Sequence, residues 1–140
     1  MKKMQLLLVI SLFTFTMFSQ EQQQLPATAS VDQRIVEVFG DQLQQLVLND
    51  ALRLRDLNAI LFERYEITEV PYSNDEKYTK LSEVPLFNFY NPGLVRDTAF
   101  DRDTFNILKY DMRFFAKSDI IYRVDNTNYI IVIHPQNLRN

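Results

Sequence analysis

Tyr129-Ile130-Ile131-Val132-Ile133 carries no charge and no proline, and every residue in it is β-branched or aromatic. Such a run reads as a strand. Successive strand side chains point to opposite sides, so its faces are Tyr129/Ile131/Ile133 and Ile130/Val132. A strand with one solvated face alternates apolar with polar residues, and this one does not. Both of its faces are therefore expected to be covered. Left on an open edge, the run would be an aggregation hazard.

Pro135 ends the run and Asp125-Asn126-Thr127-Asn128 precedes it with turn chemistry. Asx side chains tolerate positive φ and bond their own backbone. Ile120-Ile121-Tyr122-Arg123-Val124 reads as the strand before that turn. Further back, Leu108, Tyr110, Met112 and Phe114 alternate with Lys109, Asp111 and Arg113, a period of two that predicts a third strand. A helix through Phe105, Leu108, Met112 and Phe115 is the weaker alternative. Three runs so close in sequence predict an antiparallel meander.

The N-terminal half of the domain reads as helical. Val31, Ile35, Val36, Phe39, Leu43, Leu46 and Val47 form a wide apolar stripe, with Ser30 or Asp32 as its cap. Gly40 interrupts the stripe, marking a close helix crossing or a break. Asn49-Asp50 caps a second helix that presents Leu54, Leu57, Ile60 and Leu61. The short joint predicts a helical hairpin. A coiled coil fits less well, because the seam of Val36, Phe39, Leu43 and Leu46 runs on into Asp50 and Arg53. Tyr65–Val70 reads as a short strand ended by Pro71. Pro85 and Pro92 then punctuate the aromatic stretch Leu86-Phe87-Asn88-Phe89-Tyr90, and Asn91-Pro92-Gly93 is a turn. The expected fold class is α+β: an N-terminal helical hairpin packed on a small C-terminal three-stranded antiparallel meander. The hairpin is expected to cover one sheet face, and Leu86–Tyr90 is the internal candidate for the other; if that segment does not fold over the sheet, an external partner must cover it.

The 140 residues carry a net charge of −3, no cysteine, one histidine and two glycines. That balance argues against nucleic acid, which demands basic patches. The lack of cysteine removes disulfide scaffolds, thiol nucleophiles and Cys-type zinc sites. So few glycines leave no Gly-rich phosphate cradle, and one histidine leaves no multi-His metal site.

Met1-Lys2-Lys3 followed by the apolar run through Phe18 reads as an export signal, residues 1–19, too short to span a bilayer comfortably. Ser19 is the small residue before the cut, and the expected mature chain starts near Gln20. Losing Lys2 and Lys3 takes the net charge to −5. Residues 20–30 read as a flexible Gln-rich leader and 31–140 as one α+β domain, with no transmembrane span after cleavage. Phe18-Ser19-Gln20 resembles the signal-peptide ends of envelope proteins in Gram-negative bacteria that use type IX secretion. The resemblance implies a periplasmic or surface protein. Nothing after residue 100 resembles the long sorting domain of type IX cargo, so the periplasm is expected ahead of the cell surface or the medium.

The sequence holds fragments of catalytic and metal-binding motifs, each incomplete. Asp97, Asp101 and Asp103 cluster, but a calcium loop beginning at Asp101 places Phe105, Asn106 and Met112 where a ligand, a glycine and a glutamate belong. His134 ends a strand, and Ser73, Ser82 and Ser118 lack the flanking glycines of a nucleophile elbow. Eighteen acids guarantee carboxylate pairs without discriminating a hydrolase. No catalytic residue, metal or cofactor is expected. The reading that remains is a non-enzymatic interaction or accessory protein of the cell envelope, whose partner is another envelope protein contacted through the 72–100 segment. A small carboxylate hydrolase and an apolar-ligand-binding domain are the alternatives.

Candidate binding residues are Tyr72, Phe89, Tyr90 and Asn91. Phe87 and Phe89 share one side of an extended chain. If they face the sheet, Tyr90 points outward beside the rigid turn, with the large apolar area and polar tip that suit a contact site. Asp97-Thr98-Ala99 resembles the short Asp-Thr/Ser-apolar acceptor for O-glycosylation in the same bacterial lineage, which makes Thr98 a candidate glycosylation site.

Overall fold

The computed structural model describes residues 31–71 and 77–136. The export signal, the leader, Tyr72 and Ser73 lie outside the described residues. Among the described residues the fold is mixed α+β, with four strands in one sheet.

Helix α1, Gln33–Phe39, begins where the Asp32 carboxylate accepts the Arg34 N–H at 2.9 Å. It ends at Gly40, whose φ of +48° belongs to the region that side chains disfavour. The glycine is a break rather than a crossing inside a helix. A tight 3₁₀ turn over Gly40–Gln42 and a wide π turn over Gln44–Leu48 follow. Helix α2, Ala51–Glu63, starts from Asp50, which accepts the N–H groups of Leu52 and Arg53 at 3.1 and 3.0 Å. In place of the expected two-helix hairpin there is a segmented run. Helix α1 packs on the turn at 107–109, while α2 packs on the π turn and on the strand that follows it.

Strands β1 (Tyr65–Glu69), β2 (Thr79–Lys80), β3 (Ile120–Arg123) and β4 (Tyr129–Ile133) lie in the order β1-β4-β3-β2. β4 pairs antiparallel with β1 on one edge, Ile67 opposite Ile131, and with β3 on the other, Tyr122 opposite Ile131. β2 pairs parallel with β3. The β3–β4 hairpin turns through Asn126 at φ +56°, a conformation Asn tolerates. Thr127 Oγ1 closes the turn, donating to Val124 O at 2.9 Å and accepting from Tyr129 N at 3.0 Å.

The three-stranded meander does not form, because Leu108–Phe114 is no strand. Asn106 caps the Leu108 N–H at 3.1 Å and folds Ile107–Lys109 into a 3₁₀ turn. The Met112 and Phe114 N–H groups then donate to carbonyls two residues back, Tyr110 O at 2.8 Å and Met112 O at 2.9 Å. Such γ-type bonds withdraw backbone donors from any ladder. The Arg113 N–H goes to the Tyr122 hydroxyl at 3.1 Å. A meander would set this run beside β3; β2 holds that place instead, paired parallel, and β1 adds a strand on the far side of β4. The alternation still reports burial from Tyr110 to Arg113, with Tyr110 and Met112 interior and Asp111 and Arg113 exposed; Lys109, expected outside with the latter two, is buried.

Ile131 and Ile133 enter one apolar cluster with Ile35, Val38, Val47, Ile60, Ile107 and Tyr122. Leu86, Phe87 and Tyr90 pack on this same cluster rather than on the opposite sheet face, correcting the expected placement. Ile130 and Val132, on the other face, are also buried. Thr68 and Arg123 flank Ile130 in register, and Glu66 and Ile121 flank Val132.

Ile131 is 0% exposed, so Ile131→Asp should remove at least several kcal/mol of stability by burying an unpaired charge. Asn126→Gly should change it by less than about 1 kcal/mol, since glycine adopts the same turn freely. Urea melts of the two variants should differ accordingly, and equal small losses would contradict the central place of β4.

Candidate functional site

An apolar groove of about 450 Å³ runs between α2 and the irregular segment 108–115, closed at one end by aromatic rings. Helical spacing brings Arg53, Leu57 and Ile60 to one side of α2. The opposite wall comes from the γ-turned segment, which sends Tyr110 and Met112 into the interior and leaves Asp111 and Phe115 outside. At the closed end Tyr90 stacks on Phe39, ring centroids 5.3 Å apart, and meets Phe87 edge-on at 5.6 Å. The lips are unusual for apolar residues: Leu52 is 63% and Phe115 76% exposed.

Several bonds hold the groove's walls. Buried Arg64, just past α2, donates from Nη2 to Phe114 O and to His134 O, the latter at 3.3 Å. It thereby joins the outer wall to the ends of α2 and β4. Burial holds its guanidinium below the ordinary arginine value, partly offset by Asp56. At the aromatic end, Asn91 donates from Nδ2 to Glu37 O at 2.8 Å and accepts the Gly93 N–H at 3.2 Å. A Cβ on Gly40 would stand 3.6 Å from this Asn91 side chain, in ordinary contact, so the constraint on Gly40 is its positive φ.

The predicted binding residues separate. Phe89 is 80% exposed and touches Tyr90 edge-on at 5.0 Å. Tyr90 is half-buried against Phe39, so the expected directions of these two side chains are exchanged. The chain leaves the extended state after the single Leu86–Tyr110 bridge, and strict alternation stops there. Asn91 acts as a staple. Thr98 is exposed on the lip of two other clefts, beside Asp97. Sequence reading missed Leu52, Asp56, Asp111, Met112 and Phe115 as groove residues. The legible signal was Leu52, a large apolar residue off the α2 stripe.

Tyr110, which lines the groove, also belongs to a cluster of charges. The nearly buried Lys109 ammonium pairs with Asp97 and, at 3.3 Å, with Glu37. Tyr110 donates its hydroxyl to Asp97 Oδ2 at 3.2 Å, and Asn106 Nδ2 donates to Glu37 Oε2 at 2.8 Å. The Arg96 guanidinium lies 5.1 Å over the Tyr110 ring. Burial works against the Lys109 charge, but its bonds to Asp97 and Glu37 outweigh that and hold it above the ordinary lysine value. Burial, and then the Asp97 charge, push the Tyr110 phenol up. A nucleophilic or basic lysine must lose its proton readily, and this one is held in the opposite state. It is a cross-link between α1, the 97 loop and the 107–110 turn.

Elsewhere Ser82 Oγ donates to Asp125 Oδ1 at 2.6 Å, and His134 Nδ1 lies 3.1 Å from Asp119 Oδ1. Burial alone would raise the Asp125 carboxyl, but the bonds from Ser82 hold it below the usual range. The fold thus engages the serine and the histidine with different carboxylates. Asp101 accepts the Asp103 N–H at 2.9 Å, a turn cap as its sequence context implied. Among the described residues no three His, Asp or Glu gather to hold a metal ion.

Lys109 and Tyr110 both bind their protons more tightly folded than unfolded. Their contribution is therefore complete below the unfolded values, about pH 10, and is lost as pH rises through the folded ones. Asp97→Asn should cost about 1–3 kcal/mol at neutral pH by weakening the bonding of a buried ammonium. It should also flatten the alkaline loss. Urea melts across pH check this, and an unchanged alkaline fall in the variant would contradict it.

No protein-family model, no curated protein and no solved structure matches the chain.

Proposed function

We propose that this protein is a non-enzymatic binding module exported to the bacterial cell envelope, where the groove between α2 and residues 108–115 receives an apolar segment of another envelope protein. One observation carries the reading: large apolar side chains stand in solvent along a ready-made apolar trough. Leu52 and Phe115 flank it and Phe89 stands beyond its aromatic end. Burying such side chains removes apolar area from water at about 25 cal/mol per Å². A contiguous exposed apolar patch on a small domain marks an interaction site. Export rests on the basic start and apolar run of residues 1–19.

The groove's volume also falls in the range of small-molecule pockets, about 300–1,000 Å³. Its exposed lips favour a partner that covers them over a ligand enclosed between walls. Of the three carboxylates that line it, two are engaged structurally, Asp50 capping α2 and Asp56 bonding Arg55, which leaves Asp111 without a second open acid to work with. These engagements support binding ahead of carboxylate hydrolysis.

Leu52→Glu and Phe115→Ser should each leave stability within about 0.5 kcal/mol, as surface changes do. Both should sharply reduce recovery of the partner captured by the unaltered protein from native envelopes. If a Leu52→Glu/Phe115→Ser double variant retains that partner undiminished, the groove is not the binding site.

A further inference from the structure

We infer that the segment received by the groove carries lysine or arginine beside its apolar anchors. This rests on the reading of the groove as a protein-binding site and adds the chemistry of its occupant.

The groove's apolar floor is bordered by three carboxylates, Asp50, Asp56 and Asp111, against one cation, Arg53. These charges differ in availability. Asp50 is occupied by the first N–H groups of α2. Asp56 accepts from the neighbouring Arg55, which exposes most of its own side chain. Arg53, on the groove wall, donates from Nη1 to Leu46 O at 3.0 Å in the π turn. Asp111 is exposed, and its carboxylate has no hydrogen-bond or ion-pair partner among the described residues. The cation is thus committed to the protein's own backbone, while an open carboxylate stands on the wall opposite α2.

A second copy of this chain fits poorly. A two-fold contact through the groove would bring two copies of the same lining together, six carboxylates against two Arg53 guanidiniums, an unfavourable balance for charges within a Debye length. Anionic lipid headgroups meet the same repulsion. A protein segment with apolar anchors and flanking cations is the complement, whether it lies in the trough as a helix or extended. Electrostatics here sets selectivity, and the apolar floor supplies most of the attraction.

The test uses two synthetic peptides with one shared leucine–alanine apolar face, one flanked by lysines and the other by glutamates. Backbone amide resonances of Leu57, Ile60 and Met112 in the isotope-labelled full chain report occupation. The lysine peptide should saturate these shifts at about tenfold lower concentration in low salt, the scale of a few partly exposed ion pairs. Added salt should erode the difference. Asp111→Lys should bring the two peptides to within about threefold of each other, the loss of the most open pair. Equal saturation by both peptides would overturn the basic-partner inference while leaving the groove reading intact. Shifts with neither peptide would overturn both. Preferential binding to phosphatidylglycerol vesicles, or self-association that shifts the same amides, would replace the protein segment with a membrane or a second copy.

Discussion

β4 is hydrogen-bonded along both edges and buried on both faces, and the other elements take their positions from it. β1 and β3 claim its two ladders. Ile131 and Ile133 anchor the apolar cluster on which the helical run, the 107–109 turn and the aromatic stretch all pack. At its end the His134 N–H donates to Arg64 O at 2.8 Å, and the Arg64 guanidinium reaches back to Phe114 O and His134 O. One strand therefore fixes the end of α2 and, through Arg64, the outer wall of the groove. In a domain this small, several kcal/mol centred on a single strand is a large share of the net stability.

Where local chemistry decides the backbone, the sequence was readable. An aspartate can satisfy exposed N–H groups wherever it precedes a helix, so Asp32 and Asp50 marked both helix starts. The two-sided apolar run of Tyr129–Ile133 required a strand covered on each face. Asn126 marked its turn because few other side chains accept that φ. Gly40 signalled an interruption, though not which kind, since a glycine allows both a crossing and a break.

Residues 108–114 misled because alternation can record burial, as it does from Tyr110 to Arg113, without saying where the N–H groups go, and it missed Lys109, buried against its ion-pair partners. Asn106 and the Tyr122 hydroxyl, each a tertiary or capping partner outside the pattern, divert those donors from a ladder. Tyr90 and Phe89 exchanged places for a related reason: the stacking surface of Phe39 lies on a segment fifty residues away, and no local pattern announces it. The groove was less legible still. It arises from two walls distant in sequence, and only Leu52, apolar where the helix stripe predicts none, hinted at it.

The charges complete the arrangement. Lys109 with Asp97 and Glu37 cross-links α1, the 97 loop and the 107–110 turn, while Asp50 and Asp111 on the groove stay near water. A rigid strand platform beneath a wall held by γ-type bonds and one arginine gives different local stabilities within one small fold. Amide hydrogen exchange measures that difference directly. The amides of Ile130–Ile133 should exchange only through global unfolding, with the free energy found by denaturant melts, while those of Met112 and Phe114 exchange through smaller local openings. Exchange of the β4 amides as fast as those of Met112 and Phe114 would contradict the account.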